Sequence, residues 1–125
     1  MSQLIFIIED EKDIRDYIAE AVESEGYSTI SASNGRDAIL MFDENSEKAV
    51  KMPDLILLDY LMPHLNGAGF LEQAKKNKRL AKIPVVMITA DRKSAQKASD
   101  FGVAGHLHKP LELEDLFAAI ERHLR

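Results

Sequence analysis

The sequence predicts an α/β fold in which one parallel sheet is doubly wound, with helices on both faces. Three observations carry that expectation. Leu4 to Ile8, Leu55 to Leu58 and Val85 to Ile88 are continuous apolar runs of strand length, as strands buried on both faces require. Stretches with apolar residues at helical spacing alternate with them. The runs also stop on groups able to handle a phosphate or a metal: Glu9 and Asp10, Asp59, and Thr89, with Lys109 ending a shorter turn-flanked piece around His106 to His108. Ligands of open α/β sheets bind beyond the carboxyl ends of the strands, where strand order reverses. Adjacent parallel strands would therefore gather these groups at one sheet edge.

Each element follows from local signals. After Asp10, apolar residues at Ile14, Tyr17, Ile18, Ala21 and Val22 predict a helix from about Glu11 to Glu25, stopped by Gly26. Tyr27 to Ser31 is β-prone but polar, which suits an edge strand. Asn34-Gly35 opens a second helix burying Ala38, Ile39 and Phe42, and Asn45 to Met52 reads as polar loop. Pro53 starts the central strand ending at Asp59. A loop from Met62-Pro63 through Gly67 precedes a third helix carrying Phe70, Leu71 and Ala74, and Pro84 opens the next strand. The helix expected over residues 93–101 has the least apolar content, with Gly102 and Gly105 bracketing its exit, and this low burial suits a moving part. A final helix aligns Leu113, Leu116, Phe117, Ile120 and Leu124 on one stripe and runs to Arg125.

At 125 residues the chain fits one domain, able to bury about two thirds of its unfolded surface, with no room for a second. The expectation is one domain over residues 1–125 with no output domain. Net charge is −5 and no run of Lys or Arg forms a stripe, which argues against direct binding of nucleic acid. The absence of Cys excludes disulfides and thiolate metal sites. The amino terminus has neither the basic start nor the cleavage site of a signal peptide, and no apolar run approaches membrane-spanning length, so a cytoplasmic protein is expected without membrane partners.

Glu9, Asp10 and Asp59 would place up to three negative charges close together, an arrangement that calls for a cation. Magnesium suits, because it accepts one or two carboxylates plus phosphate oxygens and keeps several waters. Glu11, the first helical residue, favours the helix amino terminus and is given no metal role. An aspartate beside a metal can attack a phosphoryl group and form an aspartyl phosphate. Lys109 and Thr89 are of the types that stabilise charge on the transferring oxygens, and Ala90 is small enough to leave the entering phosphate unobstructed.

In IIEDE at 7 to 11, DLILLDYLMP at 54 to 63, NG at 66 and 67, VVMITA at 85 to 90 and HKP at 108 to 110, the chain resembles the CheY-like receiver domains of two-component response regulators. The resemblance covers Leu4 to Leu124. It implies a flavodoxin/CheY-like (βα)5 fold with strand order 2-1-3-4-5. It implies Asp59 as phosphoacceptor and a Mg2+ site of Glu9, Asp10, Asp59 and the backbone carbonyl of Leu61, with Mn2+ as the substitute ion. It further implies Thr89 as switch hydroxyl, Lys109 as phosphate contact, and a cis Lys109-Pro110 bond. The phosphoryl donor would be a histidine kinase or histidine phosphotransfer protein. The domain would catalyse its own phosphorylation and dephosphorylation without being an enzyme in the ordinary sense. Output would pass to an unknown protein target through the face built from the helix over 93–101, the last strand and the last helix, in a monomer or a phosphorylation-dependent dimer.

Several positions depart from that pattern. His106 stands where the family usually has the aromatic switch residue, Tyr or Phe, and an imidazole there could make the output face sensitive to pH. Glu9 replaces the commoner Asp, which bears on magnesium affinity. Leu61 and Asp91 occupy positions that tune phosphoryl lifetime. His64, His106, His108 and His123 form no credible metal set. A flavin or nucleotide binder would need phosphate-cradling amides where this chain has Glu9-Asp10-Glu11. An aspartyl phosphatase of the kind this chemistry suggests resembles a different family, with a second Asp where Leu61 stands. The remaining alternative is a receiver-like interaction module that is not phosphorylated.

Overall fold

The computed structural model describes residues 3–43, 51–60, 67–90 and 102–124. The strands are β1 (Leu4–Ile8), β2 (Ser28–Ala32), β3 (Leu55–Asp59), β4 (Val85–Thr89) and β5 (Gly105–His108). The helices among the described residues are α1 (Lys12–Ser24), α2 (Gly35–Met41), α3 (Gly67–Lys76) and α4 (Leu113–His123). Every strand pair is parallel and the sheet order is β2-β1-β3-β4-β5, the predicted one. Strand order reverses at β1 and β3, so the crevice at their carboxyl ends lies between Glu9-Asp10 and Asp59. The helix expected over 93–101 and the loops at 45–50 and 61–66 lie outside the described residues.

Both faces of the sheet are covered, which explains the unbroken apolar runs. One face packs Phe6, Ile8, Ile56, Leu58 and Met87 against Ala38, Phe42, Phe70 and Leu71 of the α2–α3 side. The other packs Ile5, Ile7, Leu57, Val86 and Ile88 against Ile18 and Val22 of α1 and Leu116 and Ile120 of α4. In β1, β3 and β4 every residue is buried, whereas β5 alternates half-buried and exposed positions as an edge strand does.

The differences from expectation are local. The central strand begins at Leu55, because Asp54 is used otherwise: its carboxylate accepts from Leu4 N at 2.8 Å and its N–H donates to Leu4 O at 2.8 Å, locking the start of β1 to the entry of β3. β2 is displaced by one residue, since Ser28 N donates to Gln3 O and Ala32 O accepts from Glu9 N. α4 stops at His123, with Leu124 as its C-cap, short of Arg125. Tyr17 was expected on the buried stripe of α1 but is 51% exposed, so that helix buries only Ile18 and Val22 fully.

Asn77 ties two elements together in a way its sequence position does not announce. Its Nδ2 donates to Phe42 O at the end of α2 (2.8 Å), and its Oδ1 accepts from Arg79 N (2.8 Å) and Leu80 N (3.2 Å) in the turn after α3. Asn77→Ala strands these groups and is expected to cost about 1–3 kcal/mol. Urea unfolding read as a shift in midpoint at constant slope checks this.

Candidate functional site

The site is assembled from strand ends. β1 delivers Glu9, β3 ends on Asp59, β4 ends on Thr89, and Lys109 follows β5 directly. Lys109 N donates to Thr89 O at 2.9 Å, extending the β4–β5 ladder by one bond and fixing where the lysine leaves the sheet. The Lys109-Pro110 peptide bond is cis, as expected. Gly67 opens α3 against the residue after Asp59. Its N–H donates to Tyr60 O at 2.8 Å, and a Cβ there would lie 2.8 Å from Tyr60 Cα, so only glycine permits this approach.

Glu9, Asp59 and Thr89 are the buried polar residues of the described structure, and the two acids are at most 2% exposed. One carboxylate oxygen from each of Glu9, Asp10 and Asp59 lies within 4.8 Å of the others. Lys109 Nζ contacts Asp59 Oδ1 at 3.2 Å. Glu9 Oε2 and Asp59 Oδ2 are buried with no hydrogen-bond donor. Two orphaned anionic oxygens beside a third carboxylate fit a hard divalent cation with oxygen ligands, because such an ion satisfies both and offsets their repulsion.

Without metal the cluster settles its charge by holding a proton. Burial pushes the Glu9 carboxyl up to about 8, and the hydrogen bond and charge of Asp59 add to the rise. Asp59 is also raised, by burial first, while the Glu9 hydrogen bond and the Lys109 charge oppose the shift. Burial alone would lower Lys109, but the charges of Asp59, Glu9 and Asp10 outweigh it and hold the ammonium above its ordinary value.

Thus Glu9, Asp10, Asp59 and Lys109 come together as expected, and Thr89 sits buried at the neighbouring strand end, where Asp59 pairs in register with Ile88. Leu61, Asp91 and His64 lie outside the described residues. His106 is exposed on β5 with its ring edge-on to His108, centroids 5.3 Å apart. Among the described residues the histidines form no ligand group. An apolar hollow of about 260 Å3 opens beside the site, walled by Ile14, Tyr17, Ile18, Pro110 and Leu111, with Glu9 and Lys109 at its polar end. The reading of the sequence also missed Arg15, whose guanidinium reaches the carbonyls of Glu9 and Asp10. Its place one helical turn beyond Glu11 was the available signal.

A buried acidic cluster with a paired lysine, at the switch point of a parallel α/β sheet, defines a class of domain suited to cation-assisted phosphoryl chemistry. The family model for the response regulator receiver domain matches residues 5–121, and the chain belongs to that family. It is 30% identical over 127 residues to the phosphate regulon transcriptional regulatory protein PhoB of Pseudomonas aeruginosa, covering all of this chain and 53% of that protein. The chain spans about half the length of the curated relatives it matches. The signal receiver domain of a histidine kinase from Syntrophus aciditrophicus superposes with a TM-score of 0.83 at 27% identity, over 98% of this chain and 90% of that one. The receiver domain of the sensor histidine kinase PA1611 of Pseudomonas aeruginosa, with magnesium coordinated in its active-site cleft, shares the fold at a TM-score of 0.85 and 21% identity, over 99% and 98% of the two chains. No helix among the described residues is long and apolar enough to cross a membrane.

Proposed function

We propose that this chain is a phosphorylation-dependent switch of a two-component or phosphorelay system, in which Asp59 accepts a phosphoryl group from a phosphohistidine. The observation that carries the reading is the division of labour on one buried carboxylate: Lys109 holds Asp59 Oδ1, while Oδ2 has no donor. Glu9, Asp10 and Asp59 would hold Mg2+, as the magnesium in the PA1611 receiver suggests by analogy. When bound, the ion supplies charge stabilisation on the phosphoryl oxygens. A carboxylate oxygen of Asp59 attacks phosphorus, the bond from phosphorus to the donor's imidazole nitrogen breaks, and the imidazole leaves with its electron pair and takes up a proton. Lys109 stays within reach of the new phosphoryl oxygens, and Thr89 offers its hydroxyl from the neighbouring strand end. Attack of water on phosphorus breaks its bond to the Asp59 oxygen, releases inorganic phosphate and returns the free carboxylate.

The donor is a histidine kinase or a histidine phosphotransfer protein, and the exposed Tyr17 with its apolar hollow gives such a protein a seat next to the reacting carboxylate. A groove of about 410 Å3 between β5 and α4, bordered by His106, His108, Asp115, Arg122 and His123, supports output through the face that this strand and helix share. The exposed His106 is the residue expected to turn inward with Thr89. Beryllium fluoride with magnesium, a mimic of the phosphoryl group, should then shift the imidazole NMR signals of His106. Signals that stay as in the metal-free protein would remove His106 from the switch.

The direct test is intact-protein mass after incubation with acetyl phosphate. Wild type with magnesium gains one phosphoryl group, and wild type in EDTA gains none. No gain under conditions that phosphorylate a control receiver would favour an interaction module that uses the fold alone, or a site that accepts phosphate only from its own kinase.

A further inference from the structure

We propose that Arg15 is a positioning residue, holding the β1–α1 turn in the geometry in which Glu9 and Asp10 take up a divalent cation; the inference rests on the magnesium site proposed above. Arg15 Nη1 donates to Glu9 O at 2.8 Å and, more weakly, to Asp10 O at 3.5 Å. These carbonyls belong to the two residues that contribute side chains to the cluster from this turn. β1 ends at Ile8, and Glu9 N makes the last bond to β2, at Ala32 O. Beyond that point the sheet no longer supplies partners, and the turn must find donors for its carbonyls elsewhere.

Other restraints on the turn are weak. α1 starts without a side-chain cap from Glu11, and the bond from Glu11 N to Glu9 Oε1 is long at 3.4 Å. Glu9 also carries one more methylene than an aspartate would, so the position of the backbone beneath it bears on where its carboxylate lies. Arg15 holds that backbone from a rigid element: its own N–H donates to Glu11 O at 2.9 Å within the first turn of α1. The guanidinium thus connects the helix to both turn carbonyls through one side chain. The guanidinium bonds go to the backbone oxygens of the turn and not to its carboxylates, so Arg15 works through backbone position. Groups that orient metal ligands from behind typically carry a factor of about 10–100 in metal affinity.

The experiment is calorimetric titration of the full chain with MgCl2, without a phosphoryl donor, on wild type, Arg15→Ala, Arg15→Gln and Arg15→Lys, with thermal unfolding of each in EDTA. Arg15→Ala is expected to bind Mg2+ about 10–100-fold more weakly while remaining folded in EDTA. Arg15→Lys keeps the charge, but its Nζ ends one bond short of the place of Nη1, so it should recover affinity only in part. Wild-type affinity in Arg15→Ala would overturn the inference. Full affinity in Arg15→Lys would overturn it too, by showing that charge alone suffices, and this comparison carries the test if the alanine variant does not fold. If wild type binds no Mg2+ at all, the magnesium reading itself falls, an outcome distinct from equal binding by wild type and variant.

Discussion

Asp59→Asn is expected to abolish the mass gain from acetyl phosphate while leaving the fold intact. The amide has no anionic oxygen to attack phosphorus, and among the described residues no other acid is both buried and bonded to Lys109. A surface acid, phosphorylated adventitiously, would retain the gain in the variant, and this result would remove Asp59 from the role of acceptor. The substitution has a second expected consequence. Asp59 is a buried carboxylate with one unpaired oxygen beside two further acids. An amide there removes the desolvation of a buried charge, so the metal-free variant should unfold at a higher temperature than wild type. Magnesium should then stabilise the variant less than it stabilises wild type, because one ligand oxygen has lost its charge. Thermal unfolding with and without MgCl2 reads both effects.

The metal-free protein should lose stability as pH rises from about 4.5 to about 8, the opposite of the usual behaviour of a salt-bridged carboxylate. Folded Glu9 keeps its proton up to about 8, while a glutamate of the unfolded chain releases it near 4.5. Between those values the folded state binds more protons than the unfolded one, and the slope of stability with pH is negative, approaching about 1.4 kcal/mol per pH unit for one full proton. Asp59, also raised by burial, acts in the same sense. Lys109 is raised above 10.5, so its contribution is complete throughout this window and is lost only at higher pH. Saturating magnesium replaces the proton with a cation, so its stabilising effect should grow as pH rises. Urea unfolding in EDTA at a series of pH values checks this, and a rising profile between 5 and 8 would contradict a raised Glu9 carboxyl.

Much of this molecule was legible in its residues. Continuous apolar runs at Leu4 to Ile8, Leu55 to Leu58 and Val85 to Ile88 specify strands covered on both faces, because alternation would leave one face wet. Polar residues at the ends of those runs specify the site, because parallel strands all finish on the same side. The nature of the chemistry was readable too: three acids, a lysine and a threonine exclude phosphate cradling by amides and call for a cation. What the residues left open depended on partners distant in sequence. Tyr17 has the spacing of a core residue, yet it is 51% exposed and borders the hollow that Pro110 and Leu111 also line. Asn77 joins α2 to the turn after α3 because the fold brings the Phe42 carbonyl to it.

The same division runs through the site. The residue types that carry the chemistry are determined by the sequence, since charge and nucleophilicity belong to the side chains. Their working state is decided only in the tertiary structure. Burial at the strand ends raises Glu9 and Asp59, closure of β4 on β5 brings Lys109 to 3.2 Å from Asp59, and the fold of α1 sets Arg15 against the turn that carries Glu9 and Asp10. Desolvation and hydrogen-bond geometry depend on what surrounds a group in space, and local sequence carries no record of that.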